Sequence, residues 1–150
     1  MGITHYWYMP TPIHTESWRL IKLDSLKLID AFPEKHMLCM SVEAPTRAPY
    51  VNDDLILFNG RGKRGAEDFQ LFRTPYKPRF WCKAYGLPYE NLVCAVLAVA
   101  HAKWPDIRIQ SDRNVGFWTP HTEWASVVLQ RPVLVPKFAD PKTFLEPPQG

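Results

Sequence analysis

The chain has 150 residues, of which 46% are apolar and 22% charged, the size and composition of one globular domain; this excludes wholesale disorder. No stretch approaches the roughly 20 apolar residues that cross a bilayer, and the N-terminal residues lack the pattern of a signal peptide, so we expect a cytoplasmic protein with no membrane partner. The formal net charge is +3, which gives no strong sign of binding to long nucleic acid.

The first half of the chain predicts a strand, a helix and three further strands. Residues 3–9 (ITHYWYM) are rich in β-formers and precede prolines that end a strand. Thr15 is the predicted N-cap of a helix that runs to about Phe32, because apolar residues recur there with a period of 3.6. Residues 37–43, 54–58 and 68–72 predict strands, and the glycine-rich segment 59–65 (NGRGKRG) favours a hairpin between the last two.

The second half predicts two helices around one short strand. Pro88 suits the first residue of a helix that ends before Pro105. Its segment 92–100 (LVCAVLAVA) is apolar around the whole circumference, which is typical of a buried central helix. Residues 107–110 predict a short strand, and Thr119 followed by Pro120 predicts the N-cap of a third helix.

These elements predict an α+β fold, a mainly antiparallel sheet of about five strands packed with two to three helices, in the order β-α-β-β-β-α-β-α. Residues 1–131 are expected to form a single globular domain. Residues 132–150 carry five prolines and are expected to pack on its surface as a tail. The three cysteines show no CxxC pair, and we interpret Cys39 and Cys94 as small buried hydrophobic residues.

Positive charge is concentrated between Arg61 and Lys83. This segment holds seven basic and two acidic residues, a net charge of +5, so the remainder of the chain sums to −2. Such a region favours an anionic partner, although it also suits a solvated loop. Within it, the glycines of the hairpin loop could turn backbone N–H groups inward around a phosphate while Arg61 and Arg64 supply charge; an exposed turn is the alternative.

Two further places combine groups that bind anions or line clefts. Lys83 precedes the second helix, whose N-terminus carries partial positive charge, and Tyr89 could stack on a base or instead pack in the core. Ser111 and Asp112 follow the short strand, where polar residues often face a cleft, although Asp112 could also cap a turn. The five histidines are scattered without metal-ligand spacing, and no nucleophile motif is present, so no metal, cofactor or catalytic residue is assigned.

Four blocks of the sequence carry a resemblance to known proteins. They are ITHYWYMP at the start, FNG followed by EDF, CK followed by PYENLVCAVL, and IRIQSD. Together they resemble a widespread group of short, mostly uncharacterised bacteriophage and prophage proteins, which typically show THYW, FNG, E-x-F, CKT with PYD, and SDG. This chain departs from the group with CKA, PYE and SDR. The resemblance covers about residues 3–112.

The resemblance implies shared positions and a function. Among the shared positions, His5, Asn59, Glu67, Lys83 and Asp112 are polar groups among apolar neighbours, so they need partners in each other or in a ligand. Small phage proteins of this kind often counter host defence, and some sequester nucleotide signals of host immunity. The resemblance therefore implies a counter-defence protein of the host bacterial cytoplasm that binds a cyclic dinucleotide or an ADP-ribose derivative without cleaving it.

The predicted ligand-binding residues combine these positions with the basic loop. They are His5, Trp7, Asn59, Arg61, Arg64, Glu67, Lys83, Tyr89, Ser111 and Asp112. We expect a homo-oligomer, because small binding proteins often share pockets between subunits. Two other classes stay open: a nucleotide phosphodiesterase or hydrolase that uses His5, Glu67, Asp112 or His121 as acid and base, and a protein inhibitor that docks on a host defence enzyme.

Overall fold

A computed structural model describes residues 3–144 and confirms the α+β prediction, with seven strands and three helices in this range. The helices are α1 (Thr15–Ala31), α2 (Tyr89–Lys103) and α3 (Val115–Leu129). The strands are β1 (Thr4–Tyr8), β2 (Leu38–Cys39), β3 (Tyr50–Val51), β4 (Leu55–Gly60), β5 (Phe69–Phe72), β6 (Arg79–Lys83) and β7 (Arg108–Ser111). Two short 3₁₀ turns are present: Lys35–Met37 lies between α1 and β2, and Gly62–Arg64 lies between β4 and β5.

The strands form two antiparallel sheets instead of one. In the first sheet, β1 lies between β6 and β7, with Tyr6 opposite both Trp81 and Gln110. In the second sheet, β4 pairs with β2, β3 and β5. The predicted hairpin between β4 and β5 is confirmed, because Phe58 lies opposite Phe69 across the glycine-rich loop.

The two faces of the first sheet differ, because side chains alternate along a strand. His5 and Trp7 point inward and are buried, and they reach the central helix and the rings of the second sheet. Tyr6, Arg79 and Trp81 belong to the opposite face. Among the described residues, no helix residue makes a hydrogen bond or ring contact with these three side chains. The inner face therefore builds the core, and the outer face presents rings and charges.

Helix α2 lies at the centre of the molecule, as its apolar circumference predicts. Every residue from Leu92 to Ala100 is buried. The helix packs against α1, α3 and β7. No helix within residues 3–144 is long and apolar enough to cross a membrane.

The predicted start of α3 is wrong. The helix begins at Val115, and Asn114 is its N-cap, since its side chain accepts a 3.0 Å hydrogen bond from the N–H of Phe117. Thr119 lies inside the helix and donates to the carbonyl of Val115 at 2.8 Å. Pro120 lies in the second turn of α3, where it removes one hydrogen bond without ending the helix.

The strand predictions miss two elements and misplace others. Strands β3 and β6 were not predicted, and β2 covers only two residues of the predicted 37–43. Strand β6 alternates between exposed and buried side chains, but Trp81 is on its exposed side and hides that alternation in the sequence. The first predicted helix is correct to within about a residue, although His14, not Thr15, occupies its N-cap position.

The segment after α3 runs back along the first sheet. Val133 is buried, the N–H of Ala139 donates to the carbonyl of Ile109 at 2.8 Å, and Phe144 packs against Tyr8. Residues 1–2 of the predicted domain and 145–150 of the predicted tail lie outside the described residues. The division at residue 131 stays a prediction.

We expect Asn114→Ala to lower the free energy of unfolding by about 1 kcal/mol, because it removes the side-chain cap of α3. Thr119→Ala is the matched control, and its effect stays within about 0.5 kcal/mol because alanine favours a helix interior. Urea denaturation of both variants measures the difference. A larger loss for Thr119→Ala would contradict this assignment of the cap.

Candidate functional site

A buried carboxylate organises one end of the first sheet. Glu90, in the first turn of α2, is fully buried, and its Oε2 lies 2.7 Å from Nε2 of His5. Arg113 donates from Nε and Nη2 to the two carboxylate oxygens at 3.1 Å each, and the N–H of Gly86 donates at 3.0 Å. Burial by itself would raise the pKa of Glu90, but the hydrogen bonds from His5 and Arg113 outweigh it and lower the pKa to about 2.

Ser111 extends this network and has no capacity left for catalysis. Its Oγ accepts from the N–H of Arg113 at 3.0 Å and from Nε1 of Trp118 at 3.1 Å, which uses both lone pairs. The hydroxyl proton is therefore donated to Nδ1 of His5 at 2.8 Å, and Nε2–H of His5 is donated to Glu90. Ser111, His5 and Glu90 follow the order of a serine-hydrolase relay, but Oγ lacks a free lone pair for attack.

Asp112 exchanges hydrogen bonds with Thr4 at the end of the β1–β7 strand pairing. Its carboxylate accepts from the N–H of Thr4 at 3.0 Å, and its own N–H donates to the carbonyl of Thr4 at 3.0 Å. The side chain is otherwise on the surface. His5, Ser111 and Asp112 are thus brought together, and each makes hydrogen bonds inside the protein.

Glu67, Lys83 and Tyr89 also come together. Oε1 of Glu67 accepts from the backbone N–H of Lys83 at 2.7 Å, and the hydroxyl of Tyr89 donates to the carbonyl of Glu67 at 2.6 Å. Tyr89 is buried, so it packs in the core and does not stack on a ligand at the surface. Burial raises the pKa of its hydroxyl well above the ordinary range.

Asn59 holds the glycine-rich loop closed. Its Oδ1 accepts from the N–H groups of Gly60 and Ala66, and its Nδ2 donates to the carbonyl of Ala66 and to Asp68. A Cβ on Gly60 would lie 1.8 Å from the carbonyl oxygen of Arg64, so the two sides of the loop approach too closely for a larger residue. The N–H groups of residues 60, 61, 64, 65 and 66 all donate to acceptors inside the protein.

The basic segment 61–83 is divided among three places. Arg61 and Arg64 lie on the glycine-rich loop, where they reach the carbonyl of Leu38 at 3.4 Å and the carboxylate of Glu34 at 3.2 Å. Arg73 is bound to the start of α1 through the carbonyl of Ile13. Lys77, Arg79 and Lys83 lie on or beside the outer face of the first sheet.

A cleft of about 380 Å³ opens beside β6 and β5. We call it the aromatic–acidic cleft. Its rings are those of Trp7, Tyr76, Phe80 and Trp81, and its polar side chains are those of Glu67, Asp68, Gln70 and Lys77. Of the predicted site residues, Trp7 and Glu67 line it. The indole N–H of Trp7 is buried and has no hydrogen-bond partner in the part of the chain that the structure describes.

Lys77 is held between the rings of this cleft. Its Nζ lies 4.7 Å from the ring centroid of Trp81, 5.2 Å from that of Phe80 and 5.4 Å from that of Tyr76. Such cation–π contacts hold the ammonium at the protein surface, where an anion can approach it. Sequence reasoning missed Tyr76, Lys77 and Trp81 as site residues, although the concentration of charge between Arg61 and Lys83 included all three positions.

The cysteine thiols are buried and His121 is half-buried. Cys39, Cys82 and Cys94 are all buried, and burial raises the pKa of the Cys82 thiol to about 12. Burial lowers the pKa of His121, which favours its neutral form. Within residues 3–144, no group of three or more His, Cys, Asp or Glu side chains is placed to hold a metal ion.

None of the protein-family models matches this chain, and neither a curated protein nor a solved structure matches it. The resemblance to phage and prophage proteins therefore stays a prediction.

We expect Glu90→Gln to lower the free energy of unfolding by about 3 kcal/mol, because it leaves the Arg113 guanidinium without its buried counter-charge. The matched control is Glu16→Gln, whose exposed pair with Arg19 contributes nothing measurable. Urea denaturation at pH 7 measures both variants. Equal effects of the two substitutions would contradict the structural role of Glu90.

The contribution of Glu90 depends on pH in a defined direction. Its pKa lies below the ordinary value of 4.5, at about 2, so the folded state binds its proton less tightly than the unfolded chain does. The stabilisation is complete above pH 4.5 and is lost as the pH falls towards 2. The difference in unfolding free energy between wild type and Glu90→Gln should shrink over that window. A difference that stays constant across it would contradict the lowered pKa.

Proposed function

We propose that the protein binds and sequesters a small phosphate-bearing nucleotide without cleaving it. The observation that carries this proposal is the aromatic–acidic cleft, which places exposed rings, carboxylates and a cation around one space of about 380 Å³. These are the groups that a nucleotide needs: rings for its base, carboxylate or amide groups for its ribose, and positive charge for its phosphate.

Two of the four rings of the cleft are accessible. Tyr76 is 67% exposed and Trp81 is 46% exposed, which is unusual for side chains of this size. Stacking a base on such a ring contributes roughly 1–3 kcal/mol, and it does so for any base because every base has a π-face. Rings that are held by neighbours lose little conformational entropy on binding, and Tyr76 packs edge-on against Phe72 and Phe80.

The polar groups of the cleft suit a ribose beside the base. The carboxylate of Glu67 is oriented by the N–H of Lys83, and ribose hydroxyls donate hydrogen bonds to such an acceptor. Gln70 offers an amide at the same wall.

The phosphate is assigned to Lys77. Its ammonium is held by three rings, and Lys77 lines both the cleft and a neighbouring cavity whose described lining includes Arg79 but not the carboxylates of Glu67 and Asp68. A phosphate beside those carboxylates would be repelled, whereas Lys77 and the neighbouring Arg79 attract it. A nucleotide would therefore lie with its sugar towards Glu67 and its phosphate towards Lys77 and Arg79.

Binding is favoured over cleavage by the residues that surround the cleft. The described residues that line it include no histidine, serine or cysteine. Asp68 is occupied by the N–H of Val42 and the amide of Asn59. Of the four acid–base candidates of the hydrolase alternative, His5 is buried with both ring nitrogens hydrogen-bonded, and of the four only Glu67 lines the cleft.

The biological purpose that we propose is phage counter-defence, which rests on the sequence resemblance alone. In that setting the ligand is a nucleotide signal of host immunity, a cyclic dinucleotide or an ADP-ribose derivative, in the host cytoplasm. The homo-oligomer also stays a prediction, and light scattering on the purified protein measures the molecular mass that decides it.

We expect AMP, ADP-ribose or cyclic di-AMP to bind the purified protein and to be recovered unchanged after heat denaturation. Trp81→Ala should weaken that binding about ten-fold, the cost of one lost stacking contact. The matched control is Tyr85→Ala: this ring is 59% exposed but lines no part of the cleft, so its loss leaves binding unchanged. Isothermal titration calorimetry gives the affinities.

Three outcomes would contradict the proposal. If none of the three nucleotides binds, the cleft is not a nucleotide site. If a nucleotide is recovered cleaved, the hydrolase alternative replaces sequestration. If Trp81→Ala instead abolishes co-purification with a host enzyme and no nucleotide binds, the protein inhibitor alternative is supported.

A further inference from the structure

The aromatic–acidic cleft continues across Trp81 into two more cavities. One, of about 410 Å³, is lined by Tyr8, Lys77, Pro78, Arg79 and Trp81. The next, of about 370 Å³, is lined by Tyr6, Arg79, Trp81, Gln110, Pro141 and Phe144, and we call it the sheet-face groove. Trp81 lines all three spaces. A ligand larger than one nucleotide can therefore extend from the cleft past Trp81.

The strand register sets what such a ligand meets. Trp81, Tyr6 and Gln110 are direct cross-strand neighbours on one face, so ring, ring and amide form a row across the sheet. Arg79 lies opposite Tyr8 in the adjacent row. Neighbouring positions in a row are roughly 5 Å apart, a step that suits groups within one extended ligand.

Charge changes along this path in a way that matches one ligand type. The cleft holds the carboxylates of Glu67 and Asp68 together with Lys77, and the middle cavity holds the cations Lys77 and Arg79. The groove combines Arg79 with the uncharged Tyr6 and Gln110. A nucleoside, then phosphate, then a second nucleoside that ends in a base presents the complementary order.

Gln110 gives the groove a hydrogen-bond acceptor with a fixed orientation. Its Nε2 donates to the carbonyl of Ala139 at 3.3 Å, which orients the amide and leaves Oε1 as an acceptor. Such an oxygen accepts from the exocyclic amino group of a base, as adenine offers. The ring of Tyr6, half-buried beside Trp81, supplies the stacking surface.

We propose that the sheet-face groove is the subsite of a second base, so that the ligand is a dinucleotide with two bases joined through phosphate. This inference rests on the proposed function and narrows it. Tyr6 and Gln110 determine the specificity for the second base, while the first nucleotide occupies the aromatic–acidic cleft. A dinucleotide is thereby preferred over ADP-ribose, which carries only one base.

Calorimetry with AMP, ADP-ribose and the linear dinucleotide pApA tests this inference on the wild-type chain. We expect pApA to bind at least about ten-fold more tightly than AMP or ADP-ribose, because it gains a second stacked base. Gln110→Met, which keeps the size of the side chain and removes its amide, should weaken pApA at least about five-fold and leave AMP unchanged. Tyr6→Phe keeps the ring and should keep the affinity for pApA.

A matched glutamine separates the two subsites. Gln70 lines the aromatic–acidic cleft, so Gln70→Met should weaken AMP and pApA by the same factor. If ADP-ribose or AMP binds as tightly as pApA, or if Gln110→Met weakens AMP as much as pApA, the second-base subsite is overturned while the proposed function stands. If AMP, ADP-ribose and pApA all fail to bind, the proposed function falls and this inference with it.

Discussion

The carboxylate of Glu90 lies in the interior where β1, α2 and the segment after β7 meet, and the arrangement of these three elements depends on it. A buried charge is costly unless counter-charge and hydrogen bonds surround it. Here Arg113 supplies the counter-charge, and His5 and Arg113 both donate hydrogen bonds. His5 comes from the sheet and Arg113 from the segment before α3. Displacing any of the three elements would leave a buried polar group without its partner, so the network holds the sheet in one position on the helix.

This network also determines which polar side chains of the first sheet keep free hydrogen-bonding groups. The side chains of His5 on β1 and Ser111 on β7 are committed to it: His5 has no free nitrogen, and the Ser111 hydroxyl has no free lone pair. Because successive side chains alternate between the faces of a strand, the same strands place Tyr6 and Gln110 on the other side. The inner face therefore stabilises the fold, and the binding site that we propose lies on the outer face and in the cleft beside it.

The aromatic residues follow the same division. Trp7 and Phe69 pack together in the core at a centroid distance of 5.1 Å, and their contact joins the first sheet to the second. Trp81, on the neighbouring strand, is exposed between three cavities and contacts the ammonium of Lys77. The high content of large rings thus has two causes, the filling of a small core and the lining of a continuous surface path.

The sequence by itself determined those features that depend only on residues close together along the chain. The apolar circumference of 92–100 made α2 a buried helix, and the polar character of His5 and Asn59 among apolar neighbours required that each find a partner. Which partner it would be was decided only by tertiary structure, because Glu90 is 85 residues from His5 along the chain and they meet through strand pairing and helix packing. The same holds for Trp81, whose exposure follows from the register of β6 on β1 and has no local signal. Local preferences act over a few residues, whereas contacts between distant segments depend on how the whole chain packs.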